Sequence, residues 1–315
     1  MRILFVSVAS LLFFYCKPSN SAPATATPPP AVDTSISIPV PTINYPDTPV
    51  TVPDNRLAEL SGIAVSVANP GIVYVHNDSG DSSRFFALSP YAVTKGTFYF
   101  NGDPSMKPLG VIDCEDMTVA PGPNGESYVY IGDIGDNNAV RKFITIYRMK
   151  EPVIPAGNST TTLAAEHLTL RYPDGSRDAE TLMADPVDKL LYIISKREDS
   201  VTLYSTPLNF TAGDTVVLTK QTKLFFAGTG QVKWITGGSI AHDGSGILLK
   251  SYTQVFYWKR SSGIPVWKAM LSTPTILPYT PEPQGEAIGF TVDGKGYYTI
   301  SEGKHPSLYH YLLPR

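Results

Sequence analysis

The chain has little of several things. Two cysteines in 315 residues leave no disulfide framework to staple the fold. Charged residues make up only 17%, and Lys+Arg 25 against Asp+Glu 28 gives a net charge of -3. No basic field exists to hold a polyphosphate backbone, so nucleic acid is not an expected partner. The longest N-terminal apolar run, Ile3 to Tyr15, falls short of the roughly 20 residues a spanning helix needs. Gly-x-Ser-x-Gly, His-Glu-x-x-His, Gly-x-x-x-x-Gly-Lys-Ser/Thr and Gly-x-Gly-x-x-Gly are all missing, which disfavours serine-hydrolase elbows, zinc proteases and nucleotide cofactors. The five histidines show no metal-ligand spacing. What the chain does have is Gly 25, Pro 28 and Tyr 18, a composition suited to many short strands joined by turns.

Residues 1–16 place one positive charge before the apolar run and end it with a cysteine, which is signal-peptide architecture. The run resembles the lipobox of bacterial lipoproteins, which implies that Cys16 is the lipidated first residue of the mature chain. Phe14 and Tyr15 stand where that family has small residues, and cleavage after Ala26 is the alternative. On either route Cys114 is left alone, a small core residue. Residues 17–35 are rich in Pro, Ala, Ser and Thr and form an extended tether, at about 3.1 Å per residue in polyproline geometry. Residues 36–315 then form one domain. The chain is expected to be exported to the cell envelope as a monomer, touching a membrane only through its lipid.

The domain is built from an internal repeat. A first strand recurs as Ser61-Gly-Ile-Ala-Val, Glu115-Asp-Met-Thr-Val, Glu180-Thr-Leu-Met-Ala, Gly238-Ser-Ile-Ala-His and Glu286-Ala-Ile-Gly-Phe. Each runs into a turn cluster and then a second strand, four of which carry an aromatic: Tyr74, Tyr130, Tyr192 and Tyr298. Third strands follow near residues 84, 143, 201, 255 and 307. Fourth strands are expected at residues 96–101, 165–172, 219–227 and 265–271. Repeats of about four strands make an all-β chain of β-propeller type, five blades favoured and six the alternative. The last blade lacks an outer strand, which residues 36–43 or 48–52 could supply to close the ring.

In a propeller the first strands line a central channel, so first-strand starts and second-strand ends share one face. That rule gathers Glu115, Glu180 and Glu286 at aligned positions, with Ser61 and Gly238 in the other blades. Three residues beyond the recurring aromatic stand Asn77, Asp133, Ser195 and Ser301, with Ser251 in the fourth blade; His76, Asp78 and Lys196 are their neighbours. Converging carboxylates must hold protons or a hard cation, and oxygen-only ligands suit Ca²⁺ or Mg²⁺. The metal set expected is Glu115, Glu180, Glu286, Asp133, Asn77 and Asp78, with Lys196 and His76 as candidate catalytic residues. Against this, short polar residues at strand ends often only bond turn backbone, and Lys196 or Lys304 can simply be counter-charges for the glutamates.

The runs Glu59-Leu-Ser-Gly-Ile-Ala, Val75-His-Asn-Asp-Ser-Gly-Asp81, Tyr130-Ile-Gly-Asp-Ile-Gly-Asp-Asn137, Asp178-Ala-Glu-Thr-Leu182 and Gln284-Gly-Glu-Ala-Ile288 resemble a family of bacterial secreted β-propeller proteins with little functional characterisation. That resemblance spans about residues 55–313 and implies a fold, not an activity. More remotely, the acidic mouth is similar to those of β-propeller phytases, which use clustered Ca²⁺, and of the senescence-marker/gluconolactonase family, which holds one divalent ion with Glu, Asn and Asp. Both are six-bladed and lack these runs, so no residue role carries over. The function expected is a metal-dependent hydrolase of a small anionic or lactone-type substrate. There the ion activates water, Asp133 and Asn77 complete the shell and Lys196 neutralises the substrate. The alternative is a non-catalytic lipoprotein module that binds protein or glycan.

Overall fold

Strand, tight turn and strand recur along the chain because β-branched and aromatic residues alternate with Gly, Asn and Asp at the reversals. The computed structural model describes Pro46, residues 48–154 and residues 157–314, all within one unit, Val40–Arg315. The signal segment, Cys16, the tether and residues 36–43 lie outside the described residues. Among the described residues no helix is long and apolar enough to cross a membrane.

Five sheets, each with an antiparallel four-stranded body, form five blades. Blade 1 contains β2 (Leu60–Val65), β3 (Val73–Asn77), β4 (Arg84–Leu88) and β5 (Thr94–Phe100). Blade 2 contains β6 (Cys114–Pro121), β7 (Ser127–Asp133), β8 (Ile144–Lys150) and β10 (Glu166–Arg171). Blade 3 contains β11 (Ala179–Asp185), β12 (Leu190–Ser195), β13 (Val201–Pro207) and β15 (Thr219–Leu224). Blade 4 contains β16 (Ile235–Ile240), β17 (Gly246–Ser251), β18 (Val255–Lys259) and β19 (Thr275–Leu277). Blade 5 contains β20 (Gly285–Phe290), β21 (Gly296–Ser301) and β22 (Ser307–Leu312), and its outer strand is β1 (Val50–Thr51), paired antiparallel to β22. The protein is therefore a five-bladed β-propeller closed by an N-terminal strand, drawn from the second of the two segments expected.

Two features go beyond the sequence reading. Blades 1 and 2 gain a fifth strand, donated by the next blade and paired in parallel: β9 (Ser159–Leu163) on β5 and β14 (Thr215–Val217) on β10. And residues 265–271 hold no strand; Val266–Ala269 is one helical turn, α1, and β19 lies further on. The reason is spacing: Val266 and Met270 are both buried four residues apart, a helical period that packs both against blade 4.

Side chains on a strand alternate between faces, so each blade feeds both neighbours. Five apolar clusters result, one at each interface: Tyr74, Phe85 and Met117 join blades 1 and 2, while Tyr130, Ile146 and Leu182 join blades 2 and 3. Met183, Tyr192 and Leu249 join blades 3 and 4; Leu248 and Tyr297 join 4 and 5; Val75, Tyr298 and Leu308 join 5 and 1. Burying each such side chain contributes about 1.5–3 kcal/mol. The wedges hold the inner strands rigidly around the axis, where the polar residues sit.

Candidate functional site

All five inner strands carry the same irregularity. Their pairing register slips by one residue between Leu60 and Gly62, Cys114 and Asp116, Ala179 and Thr181, Ile235 and Gly237, and Gly285 and Ala287. The residues inside the slips are Ser61, Glu115, Glu180, Thr236 and Glu286. Each is the extra member of a β-bulge, a device that re-aims a side chain next to functional sites. The blade 4 counterpart of the glutamates is thus Thr236, not Gly238: Gly238 stands where the other blades have Ile63, Met117, Leu182 and Ile288, so the apolar mark that aligns the repeat is missing there.

The second-strand ends divide by parity. Asn77, Asp133, Ser195, Ser251 and Ser301 pair with the residue before each bulge, and their side chains turn to neighbouring backbone. Asn77 donates to the Arg56 carbonyl, Asp133 accepts from the Ile112 and Asp113 amides and pairs with Arg141 at 2.7 Å, and Ser195 accepts from the Thr202 amide. Asp133 and Asn77, expected in the metal shell, are therefore committed to loop structure and to Arg141. His76 is buried with its Nδ1 against the Asn77 carbonyl, and burial pushes its pKa down, so its ring is neutral.

One residue further along, the side chain reaches the glutamates in four blades, while blade 2 places Ile134 there, packed in the cluster between blades 2 and 3. Asp78, Lys196, Tyr252 and Glu302 occupy that position in blades 1, 3, 4 and 5. Oxygens of Asp78, Glu115 and Glu286 lie within 4.8 Å of one another, and so do oxygens of Glu115, Asp178 and Glu180. Lys196 Nζ contacts Glu180 Oε1, lies 3.8 Å from Glu286 Oε1 and donates to the Tyr252 hydroxyl at 3.0 Å. That hydroxyl donates in turn to Glu286 Oε1 at 2.6 Å. Asp178 accepts from the Asp136 amide at 3.0 Å and pairs with Arg197. Gln284 donates to Glu302 Oε2 at 2.6 Å. Asp113, Asp178, Tyr252 and Glu302 were not singled out from the sequence as site residues. Tyr252 and Glu302 lie one residue past the second-strand positions Ser251 and Ser301, and Asp113 and Asp178 lie two residues before Glu115 and Glu180, ahead of each bulge.

Glycine makes room for this convergence. A Cβ on Gly135 would stand 2.1 Å from Glu115 Oε1 and 2.5 Å from Asp113 Oδ2. Any other residue at position 135 would push the two carboxyls away.

Two carboxylates about 5 Å apart repel by about 3–4 kcal/mol at an effective dielectric near 20. Three such pairs rival the 5–15 kcal/mol that holds a whole domain folded. The bare cluster accordingly keeps protons. Burial first, then Glu180, Asp78 and Asp113, holds Glu115 well above the usual carboxyl range. Burial raises Glu180 strongly against the lowering effect of Lys196. Burial with Asp113 and Glu286 nearby pushes Asp78 up to about 7, and burial with Glu286 pushes Glu302 up to about 9. Glu180 Oε2 and Glu286 Oε2 are buried without a hydrogen-bond partner. By contrast Asp116, buried one residue past its bulge, accepts from the Met117, Leu182 and Gly238 amides and stitches blades 2, 3 and 4 together.

A groove of about 370 Å³ elsewhere, between residues 223–227 and 270–274, is lined by Phe226, Trp258 and Met270 and contains no carboxylate.

No protein-family model matches the chain, and no curated protein sequence matches it. Among solved structures, a gluconolactonase from Xanthomonas campestris is similar at a TM-score of 0.45 and 11% identity, covering 82% of this chain and 87% of that one.

Proposed function

We propose that the protein is a divalent-cation-dependent hydrolase of a small, uncharged lactone-type ester. The observation that carries this is the set of seven carboxyl groups around the axis: Asp78, Asp113, Glu115, Asp178, Glu180, Glu286 and Glu302. The donors are all oxygen, closely spaced and incompletely partnered, which fits Ca²⁺ or Mg²⁺ and not zinc. Asp78, Glu115 and Glu286 would hold the ion. Bound there, it supplies Lewis-acid polarisation of an ester carbonyl. Glu302, raised to about 9, keeps a proton at neutral pH that a leaving alkoxide could take. Lys196 is spent on Glu180 and Glu286, so an anionic substrate would meet net negative charge with no free cation of the cluster to receive it. This favours the lactone half of the sequence expectation over the anionic half. The N-terminal run supports a cell-envelope location with lipid on Cys16.

Hydrolysis of a panel of γ- and δ-lactones, beside p-nitrophenyl phosphate as the anionic control, tests the reading with CaCl₂ and with EDTA. Calcium-dependent lactone turnover lost in Glu286→Gln is expected. Turnover that ignores EDTA removes the metal from the reaction. Calcium binding without turnover of any ester supports the non-catalytic module instead.

A further inference from the structure

We propose that this face binds two divalent cations that share Glu115, an inference that rests on reading the cluster as a cation centre. Two separate groups of oxygens meet the spacing requirement, Asp78–Glu115–Glu286 and Glu115–Asp178–Glu180, and Glu115 is their one common member. The unpartnered atoms divide the same way. Glu286, 5% exposed, gives Oε1 to the Tyr252 hydroxyl and leaves Oε2 bare in the first group. Glu180, 3% exposed, gives Oε1 to Lys196 and leaves Oε2 bare in the second. Each glutamate thus gives one oxygen to an internal donor and keeps the other buried with no donor from the protein.

Charge points to the same number. With the proton left on Glu302, six carboxylates meet two cationic side chains, Lys196 and Arg197, which leaves four formal negative charges. One divalent ion leaves two and two leave none. Lys196 marks the third side of the arrangement, between Glu180 and Glu286, so a fixed ammonium takes the place a third ion would need. Asp178 can serve although both of its oxygens have donors, because each carboxylate oxygen has a second lone pair; Arg197 and the Asp136 amide orient it.

Equilibrium dialysis of the chelator-stripped full chain against CaCl₂ tests the number directly. Two calcium ions per chain are expected. One per chain overturns the shared site and leaves the single-cation reading standing; none overturns both. Asp78→Asn and Glu180→Gln, each checked for an unchanged far-UV circular dichroism spectrum, are expected to retain one ion apiece. Two ions still held by folded Glu180→Gln, or none, overturn the division between the groups. The wild-type count stands as a test even if a variant does not fold.

Discussion

In blades 2, 3 and 5 the bulge residue is a glutamate, whereas in blades 1 and 4 it is Ser61 or Thr236. The backbone slip is the same in all five. What differs is the use of the side chain. Ser61 donates to the Glu115 carbonyl, and Thr236 donates to the Glu286 carbonyl at 3.2 Å, so the two hydroxyls stitch one blade to the bulge of another. The glutamates instead turn toward one another, and Glu180 and Glu286 each keep one oxygen without a donor. A device that closes the ring in two blades is therefore turned to chemistry in three, at a cost in charge repulsion that closure alone does not require.

The sharpest way to break this comparison is to remove the ammonium that lies between Glu180 and Glu286. Lys196→Met is expected to destabilise the chelated protein by about 3–5 kcal/mol, the usual cost of leaving a buried charge without its partner. Saturating CaCl₂ should recover most of that loss, since a divalent ion can replace the missing positive charge. Denaturant titrations in EDTA and in CaCl₂ read both values. A variant as stable as wild type in EDTA would show that the carboxyls simply protonate and need no cation.

Next in size is the metal itself. A ligand at a thousandfold excess over Kd stabilises by about 4 kcal/mol for each site. Wild-type melting should rise by several degrees or more on replacing EDTA with CaCl₂. Coincident melts would end the cation-centre reading.

Proton occupancy gives the third test. Asp78, raised to about 7, and Glu302, raised to about 9, bind protons in the folded chain more tightly than in the unfolded one. The stability this contributes is fully present below the unfolded carboxyl value near 4 and is lost as pH rises through 7 toward 9. Chelated protein should thus lose stability between pH 5 and 8. Calcium-loaded protein should show a flatter or opposite slope, because protons compete with the ion. Equal slopes under both conditions would separate the cluster from metal binding.

Much of this was legible in the sequence, for identifiable reasons. Four buried tyrosines at one register, Tyr74, Tyr130, Tyr192 and Tyr298, mark the second strands, and turn residues punctuate the repeat, so blade number and ring closure follow from pattern. Glu115, Glu180 and Glu286 align because each precedes the same apolar alternation. A bulge leaves no such mark. Counting from Tyr74, Tyr130 and Tyr192 lands on Asn77, Asp133 and Ser195, whose side chains serve loop backbone; the axis-facing set begins one residue later. Glu302 was hidden by that single step of parity, Asp178 by lying just ahead of its first strand, β9 by being polar and β14 by being only three residues long, both strands lent across a blade boundary.

The smallest expected effect sharpens the comparison from the quiet side. Ser61→Ala and Thr236→Val each delete one hydroxyl that donates to a buried carbonyl, which costs about 1 kcal/mol. Calcium stoichiometry should not change in either, since neither residue belongs to the two oxygen groups. Ser61 is the more demanding of the pair, because its hydroxyl also lies 3.3 Å from Glu115 Oε2. If Ser61→Ala lost calcium while Thr236→Val kept it, blade 1 would belong with blades 2, 3 and 5, and hydroxyl bulges could not be read as closure alone. If both variants melt slightly lower and bind calcium as wild type does, the division holds: one backbone device, with its chemistry confined to the three blades that pay for it in charge.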